Sequence, residues 1–288
     1  MIVITGANGQ LGRLVIDRLL SQGVAPGRIV AAVRTPAKAA DLAARGVVVR
    51  EGDYTRPDTL AQALAGAERV LLISSNDLGD RVPQHRAVID AAKAAGADQL
   101  VYTSVLHADR SPLGLAGEHR ETEALIKSSG LTHVLLRNGW YVENYLAALP
   151  MALQHGAFLG SAREGRISWA ARADYADAAA AVLTRPIAGN ETFELAGDRG
   201  HTLTELAEEV ARQSGQAVAY KDLPRTDYQR VLLDAGLPAP LAELLADSDE
   251  QAAEGALQDD GGALSRLIDR PTAPLAASVG EALSAHQA

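Results

Sequence analysis

The sequence predicts an α/β protein: a doubly wound parallel sheet with a smaller, mostly helical C-terminal region. Three observations carry this prediction. A β-branched run, Ile2-Val3-Ile4-Thr5, is followed by Gly6, Gly9 and Gly12 and at once by an amphipathic helix. Strand-like and helix-like patterns then alternate through the first half of the chain. The second apolar run ends in Arg34, at a position where the sign of a charge selects the ligand.

The first run reads as a buried strand, and Leu11, Leu14, Val15, Ile16, Leu19 and Leu20 give the following helix one apolar face. Between them, Gly6 permits a tight turn, Gly9 lets a pyrophosphate approach the backbone, and Gly12 lets the helix pack closely on the strand. A pyrophosphate on Gly6, Ala7, Asn8, Gly9, Gln10, Leu11 and Gly12 lies at the positive end of the helix dipole. This is the Rossmann-type, dinucleotide-binding arrangement. The next apolar run, Ile29 to Val33, ends in Arg34, where an NAD-specific site carries Asp or Glu for the ribose 2′-hydroxyl. A carboxylate repels a 2′-phosphate, whereas a guanidinium pairs with it. The position favours NADPH over NADH, with Lys38 one helical turn onward as a second cation.

The alternation continues with a helix expected over 36–44 and a strand over 47–50. Asp53 follows; it either accepts a hydrogen bond from the adenine amino group or caps the helix at Pro57. Leu60, Ala63 and Leu64 mark that helix, and a strand over 70–73 ends in Ser74-Ser75-Asn76. A helix over 82–95 stops at Gly96, a strand over 100–103 ends at Ser104, and a helix over 115–129 stops at Gly130. A strand over 133–136 then runs into Arg137-Asn138-Gly139-Trp140-Tyr141. Six strands at this rhythm make a Rossmann sheet, and right-handed crossovers bring its ligand-binding strand ends to one edge.

Beyond this point the rhythm weakens. Helices are expected over 144–154, 174–183 and 203–214, the last capped by Thr202 or Thr204. Strands are expected over 191–195 and 218–220, and mostly helix from Thr226. The expected division is an NADP-binding domain over 1–140, taking in 162–184, and a smaller substrate-cleft region over 185–288, taking in 141–161. The second region is expected to cover the cofactor edge and to wall one side of the cleft.

With 288 residues, 47% of them hydrophobic, the chain can bury a substantial core. A net charge of −9 argues against a nucleic-acid binder, which needs a basic face. The sequence has no cysteine, which excludes disulfides, thiolate catalysis and Cys-based metal sites; no metal site is expected. The first strand begins at residue 2 and no stretch is long and apolar enough to span a bilayer, so a cytoplasmic protein without membrane insertion is expected. Nothing in the pattern fixes an oligomeric state. The acidic residues between Val231 and Ser265, where no Lys or Arg occurs, read as a solvated helical face.

The strand ends supply the remaining site candidates. Ser74 and Ser75 fall where a ribose and the cofactor's middle are expected, and Thr103 and Ser104 near the nicotinamide. Asn138, Gly139, Trp140, Tyr141 and Asn144 follow the sixth strand. His107, and less directly His85 and His119, are candidates for proton transfer. Trp140, Tyr141 and Tyr145 suit either stacking on a flat quinonoid acceptor or packing a helix on the core. An absence also matters: none of the seven tyrosines has Lys four residues later, so the Tyr/Lys proton relay of short-chain dehydrogenases is missing. A quinone escapes that need. Its two-electron reduction draws protons from water, and hydride transfer requires mainly ring alignment.

Further stretches stand beside the glycine loop, and Leu135 to Tyr141 and His107-Ala108-Asp109 are far more specific than it. The stretches are Arg34-Thr35-Pro36-Ala37-Lys38-Ala39, Leu71-Leu72-Ile73-Ser74-Ser75, Tyr102-Thr103-Ser104-Val105-Leu106-His107-Ala108-Asp109, Leu135-Leu136-Arg137-Asn138-Gly139-Trp140-Tyr141 and Glu194-Leu195-Ala196-Gly197-Asp198. On these the chain resembles the NmrA-like proteins, an atypical short-chain dehydrogenase/reductase family, over nearly its whole length. The resemblance implies NADPH held by the glycine loop and Arg34, with contacts from the Ser74 region and from Asn138 to Asn144. It also implies a quinone reduced by direct hydride transfer; the reading adopted is a two-electron reduction without flavin, with Tyr141 and His107, taken from the residues themselves, as the catalytic candidates. Two alternatives stand beside it. One is a reductase of another flat conjugated acceptor, such as a triphenylmethane dye. The other is a non-catalytic NADP(H)-sensing regulator that acts through a protein partner.

Overall fold

A computed structural model of the protein describes residues 1–287. The first β-branched run forms β1 (Ile2–Thr5), followed by α1 (Gln10–Ser21), β2 (Ile29–Val33), α2 (Ala40–Ala44), β3 (Val48–Glu51) and α3 (Pro57–Ala63). The alternation goes on through β4 (Arg69–Leu72), α4 (Arg81–Ala94), β5 (Gln99–Val105), α5 (Ala116–Ser129) and β6 (His133–Asn138). These six strands pair in parallel in the order β3-β2-β1-β4-β5-β6. β1, β2, β5 and β6 are buried along their whole length, as continuous apolar runs in a doubly covered sheet require. Val3, Val30, Leu72, Leu100 and Leu135 form one core with Leu60, Val88, Ile89 and Ile126 from the helices and Leu64 from the turn after α3.

After β6 come α6 (Val142–Leu146), α7 (Leu149–His155), β7 (Ala157–Gly160), α8 (Arg172–Thr184) and β8 (Glu191–Leu195). β8 joins the large sheet beside β6, so the sheet has seven strands where the sequence suggested six. The rest is α9 (Leu203–Ser214), β9 (Ala219–Asp222), α10 (Arg225–Asp234), α11 (Ala239–Ala253), α12 (Ala263–Ile268) and α13 (Leu275–Gln287). Thr202 caps α9 through a reciprocal capping box with Glu205.

Three local expectations are corrected. The helix over 36–44 is a tight turn at Pro36–Ala39 followed by the short α2, because Lys38 N–H closes on the Thr35 carbonyl three residues back. The helix over 144–154 is two helices; Pro150 lacks the N–H that would reach the Leu146 carbonyl and continue the first one. The strand near 218–220 pairs with β7, a four-residue strand the sequence reading passed over. The acidic stretch is also less solvated than expected. Asp249 is buried, Asp247 accepts the Gly114 N–H at 2.8 Å, and Glu250 pairs with Arg225 at 2.6 Å.

The chain divides into two units. The first contains Met1–Asp109, Gly117–Asn138 and Tyr175–Phe193; the second contains Arg110–Ala116, Gly139–Asp174 and Glu194–Ala288. This differs from the division read from the sequence. Residues 162–174 go with the second unit, where Ile167 bridges His201 and Ala170 bridges Tyr141. Residues 185–193 go with the first, carried there by the strand that joins its sheet. Among the described residues, no helix is long and apolar enough to cross a membrane, and no His, Cys, Asp and Glu group is arranged to hold a metal ion.

Candidate cofactor and active site

The glycine loop lies between β1 and α1, and each glycine has its own reason. Gly6 adopts φ +60°, the left-handed conformation that lets the chain turn off the strand. A Cβ on Gly12 would lie 2.6 Å from the Gly6 carbonyl oxygen and 2.7 Å from Ala7 Cα, so α1 reaches the loop only because that position has no side chain. Gly9 is the N-cap of α1 in extended conformation, with no side-chain cap bond. The first-turn amides of α1 have no carbonyl within the helix, and no side chain at the cap competes for them. An anion is the natural partner of such an end.

Arg34 stands exposed immediately after β2. Its charge reaches Asp53: burial alone would raise that carboxyl, but the Thr55 hydrogen bonds and the charges of Arg34 and Arg56 hold it below the usual range. Asp53 caps no helix. Its Oδ1 accepts the Thr55 N–H at 2.9 Å and the Thr55 hydroxyl at 2.8 Å, closing a local turn. Two residues that the sequence reading missed shape this end. Arg13 donates to Asn8 Oδ1 at 2.5 Å, to the Lys38 carbonyl at 3.1 Å and to Asp41 at 2.6 Å, tying the glycine loop to the segment that carries Lys38. Tyr54 donates to the Ile73 carbonyl at 2.8 Å and meets the Thr5 hydroxyl at 2.5 Å, bracing the ends of β1 and β4. A tyrosine beside Asp53 and an arginine beside Gly12 were the available signals.

At the next strand ends the polar side chains largely serve one another. Thr103 Oγ1 accepts the Ser74 N–H at 2.9 Å. The Ser104 hydroxyl donates to Glu123 Oε1 at 2.7 Å, and Arg137 grips the same carboxylate with contacts of 2.9 and 2.8 Å. Burial pushes the Glu123 carboxyl up, but the Arg137 and Ser104 hydrogen bonds and the Arg137 charge outweigh it and leave it below the usual range. The second Arg137 amino group reaches Asp109 at 2.7 Å. His107 follows in a turn at φ +53°, a left-handed conformation uncommon for a side chain of its size. Asn138 closes β6 with its Oδ1 buried and without a hydrogen-bond partner in the chain. A buried orphan acceptor asks for a donor from outside the chain.

The first unit therefore places Gly6 to Gly12, Arg34, Lys38, Asp53, Ser74, Ser75, Thr103, Ser104, His107 and Asn138 at strand ends or just beyond them. Gly139, Trp140, Tyr141 and Asn144 belong to the second unit. There the Arg172 guanidinium lies 4.8 Å over the Tyr141 ring. The aromatic cluster is split: Trp140 is buried, and Tyr145 turns inward to donate to Asp249 at 2.7 Å and to pack on Trp169. His85 and His119 are both buried and hydrogen-bonded within the fold, His119 to the Tyr102 hydroxyl at 2.7 Å.

A family model described as NAD(P)H-binding matches residues 6–186. The chain is 54% identical over 279 residues to quinone oxidoreductase 2 of Escherichia coli, covering 97% of each protein. It superimposes on a crystal structure of the E. coli NADPH-dependent quinone oxidoreductase complexed with NADPH at TM-score 0.93, with 53% identity and coverage of 98% of this chain and 100% of that one. The triphenylmethane reductase of Citrobacter sp., complexed with NADP(H), gives TM-score 0.93 at 34% identity, again over 98% of this chain and 100% of that one.

Proposed function

The chain belongs to the NAD(P)H-binding family, and on that premise we propose that it is an NADPH-dependent oxidoreductase that reduces quinones by two electrons, by direct hydride transfer and without flavin. The observation that carries the reading is the 54% identity to a quinone oxidoreductase over 97% of both chains. The residues present fit the cofactor. The uncapped start of α1, the close approach at Gly12 and the exposed Arg34 suit a pyrophosphate and a 2′-phosphate, and Asn138 Oδ1 is an acceptor in want of a donor.

When bound, NADPH supplies the hydride. In this reading the loop from Gly6 to Gly12 anchors the pyrophosphate, Arg34 pairs with the 2′-phosphate with Lys38 nearby, and Asp53 closes the turn beside Arg34. Ser74, Ser75, Thr103 and Ser104 form the floor at the strand ends, and Tyr141 aligns the quinone ring. Hydride addition yields a hydroquinone anion, which takes its proton from water, so no side chain is required as an acid. A cytoplasmic location and the absence of a nucleic-acid partner go with this reading, the latter supported by the net charge of −9.

The test is NADPH oxidation by purified protein with a panel of quinones and no added flavin. Turnover with quinones supports the reading, and no turnover with any of them in a protein that binds NADPH sinks it. Measured side by side, kcat/KM for quinones and for triphenylmethane dyes separates the two acceptor classes.

A further inference from the structure

The segment joining β4 to α4 carries Ser74 and Ser75 and is neither strand nor helix. Buried side chains hold it instead. His85, on α4 and fully buried, accepts the Ser75 N–H through Nε2 at 2.9 Å. A nitrogen that accepts carries no proton, so the neutral ring bears its proton on Nδ1. Nδ1 lies 3.0 Å from Thr122 Oγ1, and Thr122 spends its own hydroxyl proton on the Glu118 carbonyl at 2.8 Å. The threonine oxygen is therefore the acceptor, and the tautomer is assigned from both ends of the ring. The Ser75 carbonyl is fixed as well, by the buried Arg81 Nε at 2.8 Å. The Ser75 hydroxyl donates to Gln84 Oε1 at 2.5 Å, and Gln84 donates to Asp77 at 2.8 Å. The Glu118 carboxylate closes the far end by accepting the Gly79 and Arg81 amides at 3.2 and 3.3 Å.

We propose that His85 is a positioning residue for the cofactor: as a neutral Nδ1–H tautomer it holds the Ser74-Ser75 edge in the geometry that receives NADPH. The inference rests on the proposed function, which makes that edge part of the cofactor site. Burial, helped by the Arg81 charge, pulls the imidazole down to about 3, so the ring stays an acceptor across the working pH range and is no proton donor. Its place in the network makes His85 a support of the site, and the sequence had offered it only for proton transfer.

The test compares His85→Phe, which keeps ring volume and loses the acceptor, with His85→Gln, whose amide oxygen reaches the place of Nε2. His85→Phe should weaken NADPH binding about tenfold, as expected for the partly buried Ser75 amide left without this acceptor. kcat at saturating NADPH should stay within about twofold. Binding of 2′,5′-ADP, which reports the Arg34 end alone, should be unchanged in both variants. His85→Gln should recover most of the loss. If His85→Phe does not fold, Thr122→Val gives a milder version: it removes the acceptor for Nδ1–H and should raise the NADPH Kd about threefold. An unchanged NADPH Kd in a folded His85→Phe protein, or equal losses in the Phe and Gln variants, overturns the inference and leaves the proposed function standing. Wild-type protein that fails to bind NADPH overturns the proposed function itself, and the inference with it.

Discussion

The glycine loop gives the most discriminating prediction, because two of its glycines are required for different reasons. Gly9 sits at φ −74°, ψ 167°, a conformation open to any residue, and a Cβ there would meet only the Gly6 carbonyl oxygen at 3.2 Å. Gly9→Val should therefore cost about 1 kcal/mol of stability or less, much of it the loss of a good N-cap. Its branched side chain would instead occupy the space over the amides of α1 where the pyrophosphate is to lie. The NADPH Kd should rise at least about tenfold, equivalent to about 1.4 kcal/mol. Gly12→Ala is the converse. Inside a helix, alanine gains about 1 kcal/mol over glycine in propensity. Here its Cβ would lie 2.6 and 2.7 Å from backbone atoms of Gly6 and Ala7, which no side-chain rotation relieves. Overpacking of this kind costs about 1–3 kcal/mol, so the substitution should destabilise the protein even without cofactor. Urea unfolding followed by far-UV CD, with an NADPH titration of each folded variant, reads both effects. A Gly9→Val protein that titrates like wild type, or a Gly12→Ala protein of undiminished stability, refutes this assignment of roles.

The remaining predictions concern cofactor choice, the acceptor and pH. Arg34→Glu should raise the NADPH Kd roughly ten- to hundredfold, about 1.4–3 kcal/mol, and change NADH affinity much less; equal losses for the two cofactors would remove the 2′-phosphate role. Tyr141→Ala should raise the quinone KM or lower kcat about tenfold, while Tyr141→Phe, which keeps the ring, should stay near wild type. His107→Asn, chosen because asparagine tolerates the positive φ, should lower kcat by much less than the ~10²–10⁴-fold expected for losing a general acid; abolished turnover with normal NADPH binding would contradict water as the proton source. Burial, as the largest cause, raises the Asp249 carboxyl from 3.8 to about 6, so the folded state binds this proton more tightly than the unfolded state. The associated stability is full below about pH 4 and is lost as pH rises through about 6; Asp249→Asn should flatten that window and be more stable than wild type at pH 8 by about 1–3 kcal/mol, whereas an unchanged pH dependence of the urea midpoint would count against it.

The sequence made the first half of the fold legible because its signals are local. A strand, a glycine turn and an amphipathic helix each declare themselves within a dozen residues, and β1, α1 and β2 lie where the pattern put them. The seventh strand of the sheet was visible as a strand, but its address was not, because pairing beside β6 is a long-range property. β7, Ala157-Phe158-Leu159-Gly160, was missed because only Phe158 in it favours a strand and no β-branched residue marks it, and the break between α6 and α7 rests on one proline inside an otherwise helical pattern. The candidate site divides in the same way. Gly6, Gly9, Gly12 and Arg34 follow from spacing and charge alone. Arg13, Tyr54 and His85 act through partners 5 to 49 residues away, which no periodicity announces.

The interior face of α5 bears most directly on the chemistry. A Tyr/Lys relay would require a side chain whose pKa lies near the working pH, since proton transfer is efficient only where both protonation states are within reach. This fold moves its groups the other way. Burial holds His119 well below its usual value and holds Tyr102, its hydrogen-bond partner, above its own. Glu123 lies below the carboxylate range, gripped by Arg137 and Ser104. Each is fixed in one protonation state at neutral pH, and each is already engaged by a partner within the first unit. Removing Glu123 would take from the buried Arg137 its buried carboxylate and leave it the exposed Asp109, a loss of up to about 3 kcal/mol, so the Glu123–Arg137 pair holds the fold together. A helix whose interior polar groups are locked in this way suits a reaction that asks the protein for alignment and leaves the proton to water. Quinone reduction by hydride is such a reaction, and reduction of a simple ketone, whose alkoxide must be protonated as it forms, is not.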